Sequence, residues 1–173
     1  MLEAAIFVVF PLCLAFAAVS DLLSMTIANR VSLILVVSFA IIAPLTGMDW
    51  QTYGLHFSAM ALVLAVTFGL FAIGGMGGGD AKLLAATALW MGFGMPLATY
   101  VVLSAAFGGA LTIAILAFRN SPLRYMVANN PLLRNIADTS VGIPYGIALA
   151  MGGFAAFPQS PLAVWAFARM AGG

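Results

Sequence analysis

Two aspartates, Asp21 and Asp80, stand out in a chain that carries almost no charge. Of its 173 residues 64% are hydrophobic and only 6% are charged. Carboxylates in or beside a membrane are costly and usually serve a function. Each also has a structural explanation: Asp21 could be a solvated charge that closes an apolar segment, and Asp80 could cap the backbone N–H groups at a helix start.

General acid–base catalysis is the chemistry that such a pair could perform. Two carboxyl groups held close together do not both ionise easily, so they share one proton. The ionised group can take a proton from water as the water attacks a peptide carbonyl, while the protonated group donates to the carbonyl oxygen. This is the minimum equipment of an aspartic peptidase, and we expect neither a metal nor a cofactor.

The residues before Asp80 form a glycine run, in the stretch "IGGMGGGDAKLLAA" (73–86). One glycine would suffice for a turn, whereas several remove the side chains from a loop and let another backbone approach closely. We therefore expect this loop to admit an extended peptide. After Asp21, the apolar segment "DLLSMTIANR" resembles continued helix near the interface, which Asn29 and Arg30 would end.

The composition predicts an all-α, polytopic integral membrane protein with one domain, residues 1–173. A soluble domain has about 25% charged residues, and a membrane-spanning helix needs about 20 apolar ones. We expect an interfacial or partly embedded tail at 158–173. Six spans are predicted, at 4–20, 31–48, 53–73, two within 83–118 around a turn at 91–96, and 139–157.

The positions of the basic residues predict the orientation of these spans. Five of the six cations fall in alternate loops on one side, which by the positive-inside rule is cytoplasmic, with both termini on the outer, periplasmic side. Asp21 and Asp80 then lie at the same cytoplasmic boundary. The cations on that side are Arg30, Lys82, Arg119, Arg124 and Arg134, and Arg169 is on the other.

The fourth helix is too short for a full crossing, because the 13 residues from Asp80 to Gly92 give roughly 20 Å of helix. Either the glycine loop or the turn at the other end must therefore dip below the membrane surface. Non-helical backbone at that depth is tolerated where it lines a wet cavity. If the glycine loop is the part that dips, Asp80 would lie in a water-filled pocket.

Several other kinds of site are not expected. The net charge is +1, without the basic stripe of a nucleic-acid-binding protein. A lone Cys13 allows neither an internal disulfide nor a cysteine zinc site. The only histidine, His56, falls on the opposite side from the two aspartates, so no Ser/His/Asp triad forms and a packed role is expected. Asp138 is expected to be a cap or a topology charge.

Three segments resemble the type IV prepilin peptidases. "GGGDAKLLAA" resembles their Gly-x-Gly-Asp motif, after which lysine and leucine typically follow. "SDLLSMTIANR" is similar to their first motif, an aspartate followed several residues later by Ile-Pro-Asn, and "IPYGIALAMGG" (143–153) to their Pro-Tyr-Gly segment. The three occur in the family's order over most of the chain. Gly-x-Gly-Asp alone would also fit presenilin-type and signal-peptide peptidases.

The resemblance implies an aspartic endopeptidase of the bacterial inner (cytoplasmic) membrane that removes leader peptides from prepilins and pseudopilins at the cytoplasmic face. It implies Asp21 and Asp80 as the catalytic pair. It also implies that four residues belong to the substrate-binding loop: Gly77, Gly79, Lys82 and Asn29. Lys82 could alternatively be a topology charge, or it could hold an acidic group of the pilin or a lipid phosphate, since membrane lipids are expected partners.

Two departures from the family pattern bear on this reading. Ala28 stands where proline is usual, which frees the backbone before Asn29. Longer members carry a cytoplasmic domain with two Cys-x-x-Cys pairs and also N-methylate the processed pilin. This chain has a single cysteine and so lacks those pairs. It therefore resembles the short, peptidase-only form of tight-adherence (Flp-type) pilus systems, and we expect no methyltransferase activity and no zinc domain.

Two alternatives differ in chemistry or substrate. A presenilin-like intramembrane protease would share the aspartates, but Asp21 lies at a span end and no Pro-Ala-Leu motif is present near the C-terminus. A small transporter or non-catalytic assembly subunit would need polar residues near mid-membrane, where the sequence has few.

The longest cytoplasmic loop, 118–135, is the expected place for leader recognition. The sequence predicts neither the oligomeric state nor the particular pilin.

Overall fold

A computed structural model describes residues 1–122, 124 and 134–172, and these residues form helices and loops without a strand. The all-α prediction is confirmed. The described helices are α1 (Leu2–Ser24), α2 (Asn29–Leu45), α3 (Trp50–Ala72), α4 (Gly78–Met91), α5 (Met95–Arg119), α6 (Arg134–Ala137), α7 (Tyr145–Ala156), a 3₁₀ turn (Phe157–Gln159) and α8 (Pro161–Ala171).

Three of the described helices, α1, α3 and α5, are long and apolar enough to cross a membrane. A fourth span results if α7 with its 3₁₀ turn and α8, which meet at 49°, are taken as one bent helix. The remaining apolar helices are shorter, with 17 residues in α2 and 14 in α4. The chain is thus a multi-pass membrane protein, while the count of six spans and the side of the termini stay predictions.

The short helix α4 lies at the centre of the bundle. Nine of its 14 residues are buried, and α2, α3, α5, α7 and α8 all pack against it. Trp90, near its end, is fully buried and donates its indole N–H to the carbonyl of Leu35 at 2.9 Å. At about 21 Å, α4 is too short to cross a membrane. Its position is therefore set by the helices that pack around it. Asp80, in its first turn, is therefore attached to the most enclosed helix.

His56 packs against the C-terminal end of α4. Its Nδ1 lies 2.6 Å from the carbonyl oxygen of Leu89, and the side chain is buried. Gly92 ends the helix with φ +65°, where a Cβ would lie 2.6 Å from the imidazole ring. His56 is thus a packed residue at the opposite end of α4 from Asp80, as expected.

The connection between α1 and α2 differs from the sequence prediction. α1 does continue past Asp21, but it ends at Ser24, and Met25 takes a left-handed conformation (φ 53°). The hydroxyl of Ser20 donates to the carbonyl of Thr26 at 2.8 Å, which closes the turn. The expectation that Asn29 ends an interfacial helix is wrong, because α2 begins there.

The C-terminal part also differs in its boundaries from the predicted span at 139–157. The helix begins only at Tyr145, after Pro144, and the segment before it is irregular. The expected tail forms α8, whose N-cap Ser160 accepts a hydrogen bond from the backbone N–H of Ala163. α8 packs against α1, with Phe167 against Phe7. The tail is therefore a bent continuation of α7 that joins the bundle.

Ala28→Pro is expected to stabilise the protein by about 0.4–1 kcal/mol. Ala28 has φ −63° and ψ 131°, within the range that a proline ring imposes, so the usual family residue would fit. Ala40→Pro makes the same change inside α2 and should cost about 3 kcal/mol. Unfolding of the purified protein in detergent measures both. An A28P midpoint below that of the wild type would show that the turn differs from this description.

Candidate active site

Asp21 lies in the last turn of α1 and is 6% exposed. Its Oδ2 accepts a buried hydrogen bond of 2.7 Å from the backbone N–H of Gly146, the second residue of α7. A Cβ at Gly146 would lie 2.9 Å from the same oxygen. Glycine is therefore what allows α7 to come close enough to donate, and the bond fixes the direction of the Asp21 carboxylate.

Asp80 is the third residue of α4, and its carboxylate folds back over Gly77. A Cβ at Gly77 would lie 2.7 Å from Asp80 Oδ2, so a side chain there would displace the carboxylate. Gly77 is the N-cap residue of α4, and the helix has no side-chain cap. The suggestion that Asp80 caps this helix is therefore wrong. Its Oδ1 is buried and has no hydrogen-bond partner among the described residues.

Asp21 and Asp80 line two cavities in common. The larger has a volume of about 450 Å³ and the smaller about 290 Å³, which is room for several waters, since a water occupies about 30 Å³. Met25 and Gly77 also line both. The larger cavity adds Gly74, Gly75, Met76, Gly142, Ile143 and Tyr145, and the smaller adds Thr26, Ile27, Asn29, Gly78 and Gly79.

The glycine run has several structural tasks besides the expected one. Gly74 has φ +77°, and the N–H of Gly75 bonds the carbonyl of Leu70 at 2.8 Å, which ends α3. A Cβ at Gly79 would lie 3.2 Å from that of Ile27, so Gly79 lets the α1–α2 turn rest against α4. Glycines at the cavity rim are exposed. These exposed glycines are compatible with the predicted access of a substrate backbone, which stays a prediction.

The two polar residues predicted for the substrate loop lie next to each other. Lys82 Nζ donates to Asn29 Oδ1 at 2.9 Å and so links α4 to α2. Asn29 lines the smaller cavity beside both aspartates. Lys82 lines neither of the two cavities that the aspartates share, but a separate groove between α2, α3 and α4. The structure thus places Asn29, but not Lys82, at the carboxyl pair.

Arg119 supports the site in a way that its sequence position did not indicate. It is 6% exposed and donates to three backbone carbonyls: Nε to Ile136 at 2.8 Å, and Nη2 to Asn135 at 3.2 Å and to Gly142 at 3.0 Å. The Asn135 side chain in turn donates to the carbonyl of Leu23 in α1 at 2.8 Å. Arg119, treated in the sequence only as a topology charge, thus anchors the segment that leads to Gly146.

Asp138 belongs to the same end of the molecule but not to the cavities. Its carboxylate accepts hydrogen bonds from the Ser140 hydroxyl at 2.7 Å and the Ser140 backbone N–H at 2.8 Å. These bonds hold the pKa of Asp138 below its usual value. Asp138 is therefore a local turn-forming carboxylate. It does not cap the helix that follows, because the N-cap residue of α7 is Pro144 and no side chain caps that helix, and its role as a topology charge stays a prediction.

Gly146 was missed because nothing near it in sequence points to Asp21, 125 positions away. The available signal was the "PYG" segment, which had been noted only as a motif. The sequence also does not predict the burial of three hydroxyl-bearing side chains, those of Thr87, Tyr100 and Ser104. Hydroxyl-bearing residues look ordinary within an apolar helix, and only their burial in the folded chain distinguishes them.

Gly146→Ala is expected to destabilise the protein by about 1–3 kcal/mol, because the new methyl group would overlap the Asp21 side chain. Gly109→Ala is the matched control. It lies inside α5 with no atom within 4 Å of a Cβ and should gain about 0.5–1 kcal/mol from lower unfolded-state entropy. Denaturant unfolding compares the two. Equal effects would show that α7 does not approach Asp21 this closely.

A protein-family model described as the type IV leader peptidase family matches residues 8–116. The match covers more than half of the chain and includes Asp21, the glycine run and Asp80. Neither the curated proteins nor the solved structures that were compared with the chain gave a match.

Proposed function

The chain belongs to the type IV leader peptidase family, and from this premise we propose that it cleaves the leader peptide of Flp-like type IV prepilins with an Asp21/Asp80 dyad. Membership supports a membrane peptidase over a transporter or an assembly subunit. The observation that carries the dyad is that both carboxyl groups, from different helices, line the same two cavities.

The proposed reaction follows from the surroundings of the two groups. The hydrogen bond from Gly146 suits Asp21 to the role of base, since it holds Oδ2 and leaves Oδ1 to take a proton from water. The water oxygen bonds to the scissile carbonyl carbon, and protonated Asp80 donates to the carbonyl oxygen. When the resulting diol collapses, the C–N bond breaks and the leaving amine takes a proton from the dyad.

The proposed substrate path runs over the glycine rim. An extended peptide could lie against the backbone of exposed Gly74, Gly75 and Gly77, with Met76 as the side chain between them, and its carbonyl would enter the larger cavity. We place this rim at the cytoplasmic face of the bacterial inner membrane, on the argument from the basic loops. The proposed recognition loop, 118–135, lies largely outside the described residues, since 123 and 125–133 are not described.

Asp21→Asn and Asp80→Asn should each reduce leader cleavage by about 10²–10⁴-fold, the usual contribution of general acid–base catalysis. The amide keeps the size of the side chain but can neither accept nor release the proton. Cleavage of a coexpressed Flp-type prepilin, followed by the mobility of the pilin on a gel, measures the loss. Membrane insertion and the unfolding midpoint should stay close to the wild type.

Asp138→Asn is the matched control, because it removes a carboxylate at the same end of the molecule that lines neither cavity. It should cleave at the wild-type rate. If either D21N or D80N cleaved at that rate as well, the dyad would be wrong while the family assignment would stand.

We further propose that the chain is a peptidase only and forms a single domain. Purified protein incubated with a methyl donor and processed pilin should transfer no methyl group to the new N-terminus. A longer family member with the cysteine-containing domain serves as the positive control. Methyl transfer above the level of the no-enzyme sample would overturn this part of the proposal and leave the peptidase assignment intact.

A further inference from the structure

A groove of about 480 Å³ opens between α2 and α3, away from the two aspartates. The two helices make few contacts with each other and both pack against α4, so α4 forms the floor. The small side chains of this floor give the groove its depth. Apolar residues line it: Leu33 and Val36 from α2, Met60 and Leu64 from α3, and Ala85 and Ala86 from α4.

Two cations, Arg30 and Lys82, stand at one end of this groove. Both side chains are exposed, and neither forms an ion pair within the part of the chain that the structure describes. The hydrogen bond to Asn29 uses one of the three N–H donors of Lys82 and leaves two. The planar guanidinium of Arg30 matches the oxygens of a phosphate. The end of the groove is thus suited to an anion.

No carboxylate side chain in the described part of the chain lines this groove to neutralise its two cations. Glu3 pairs with the N-terminal amine, Asp49 caps α3 by accepting from Thr52, and Asp138 bonds Ser140. Asp21 and Asp80 do not line this groove. The positive-inside rule accounts for the sign of Arg30 and Lys82, but it does not account for their meeting at the end of one apolar groove.

The size of the groove favours an acyl chain over a helix. Three turns of helix, taken as a cylinder about 10 Å across and 16 Å long, occupy roughly 1,300 Å³, more than the 930 Å³ of empty space in the groove and at its mouth. A single hydrocarbon chain is far narrower. Basic pockets between membrane helices on the cytoplasmic side are typical sites for anionic lipid headgroups.

We propose that this groove binds an anionic phospholipid, with an acyl chain between α2 and α3 and the phosphate on Arg30 and Lys82. Because Asn29 joins Lys82 to the smaller active-site cavity, the bound headgroup lies next to the peptidase site. The lipid site stands on the groove and its charges and does not depend on the proposed dyad.

The test uses the purified full-length protein in detergent with equal amounts of phosphatidylglycerol and phosphatidylcholine, and native mass spectrometry measures the lipid retained. Phosphatidylglycerol should be retained in preference, and added salt should weaken that preference. Arg30→Gln and Lys82→Gln should each weaken its retention about fivefold, the effect of about 1 kcal/mol per basic residue near an anionic surface. Leu33→Trp, which fills the groove, should lower retention of both lipids.

Arg169→Gln and Leu62→Trp are the matched controls. Arg169 lies near Glu3 at the other end of the bundle, and Leu62 is an exposed residue of α3 that does not line the groove. Both should retain lipid as the wild type does. Equal retention of the two lipids by the wild-type protein, or equal losses in R169Q and the groove variants, would overturn the proposal. So would a photo-crosslinker at Leu33 that captured the pilin helix instead of lipid.

Discussion

The hydrogen bond from the Gly146 N–H to Asp21 is the interaction on which the arrangement of the site depends. It joins the end of α1 to the beginning of α7, 125 positions later, at a distance that only glycine permits. A carboxylate buried without such a partner would be costly. The bond therefore offsets part of the cost of burying Asp21 and holds the start of α7 against the end of α1.

The second half of the site depends on the short central helix. Because most of α4 is buried among the other helices, the core fixes the position of the backbone that carries Asp80, and the glycines before it are what bring the neighbouring chain segments close. Gly77 makes room for the Asp80 carboxylate and Gly79 for the α1–α2 turn. The same helix forms the floor of the groove, so one element serves the carboxyl pair and the proposed lipid site.

The sequence was informative for features that follow from its composition or from the presence of one residue type. Low charge predicted the helical membrane protein, and the rarity of aspartate in such a chain drew attention to Asp21 and Asp80. It was uninformative where the outcome depends on packing. The donor to Asp21 and the anchoring role of Arg119 arise from contacts between distant segments. The start of α2 at Asn29 depends on a hydroxyl-closed turn, and the cap of α4 is Gly77 rather than Asp80.

The way in which Arg119 holds its loop has a consequence for how the protein can diversify. Among the residues that the structure describes, its guanidinium bonds main-chain carbonyls, those of Asn135, Ile136 and Gly142, and every amino acid carries such an acceptor. These three bonds are thus independent of the side chains of the residues that accept them. Side chains of this loop that make no bond of their own can therefore change while the backbone that leads to Gly146, the donor to Asp21, keeps its course.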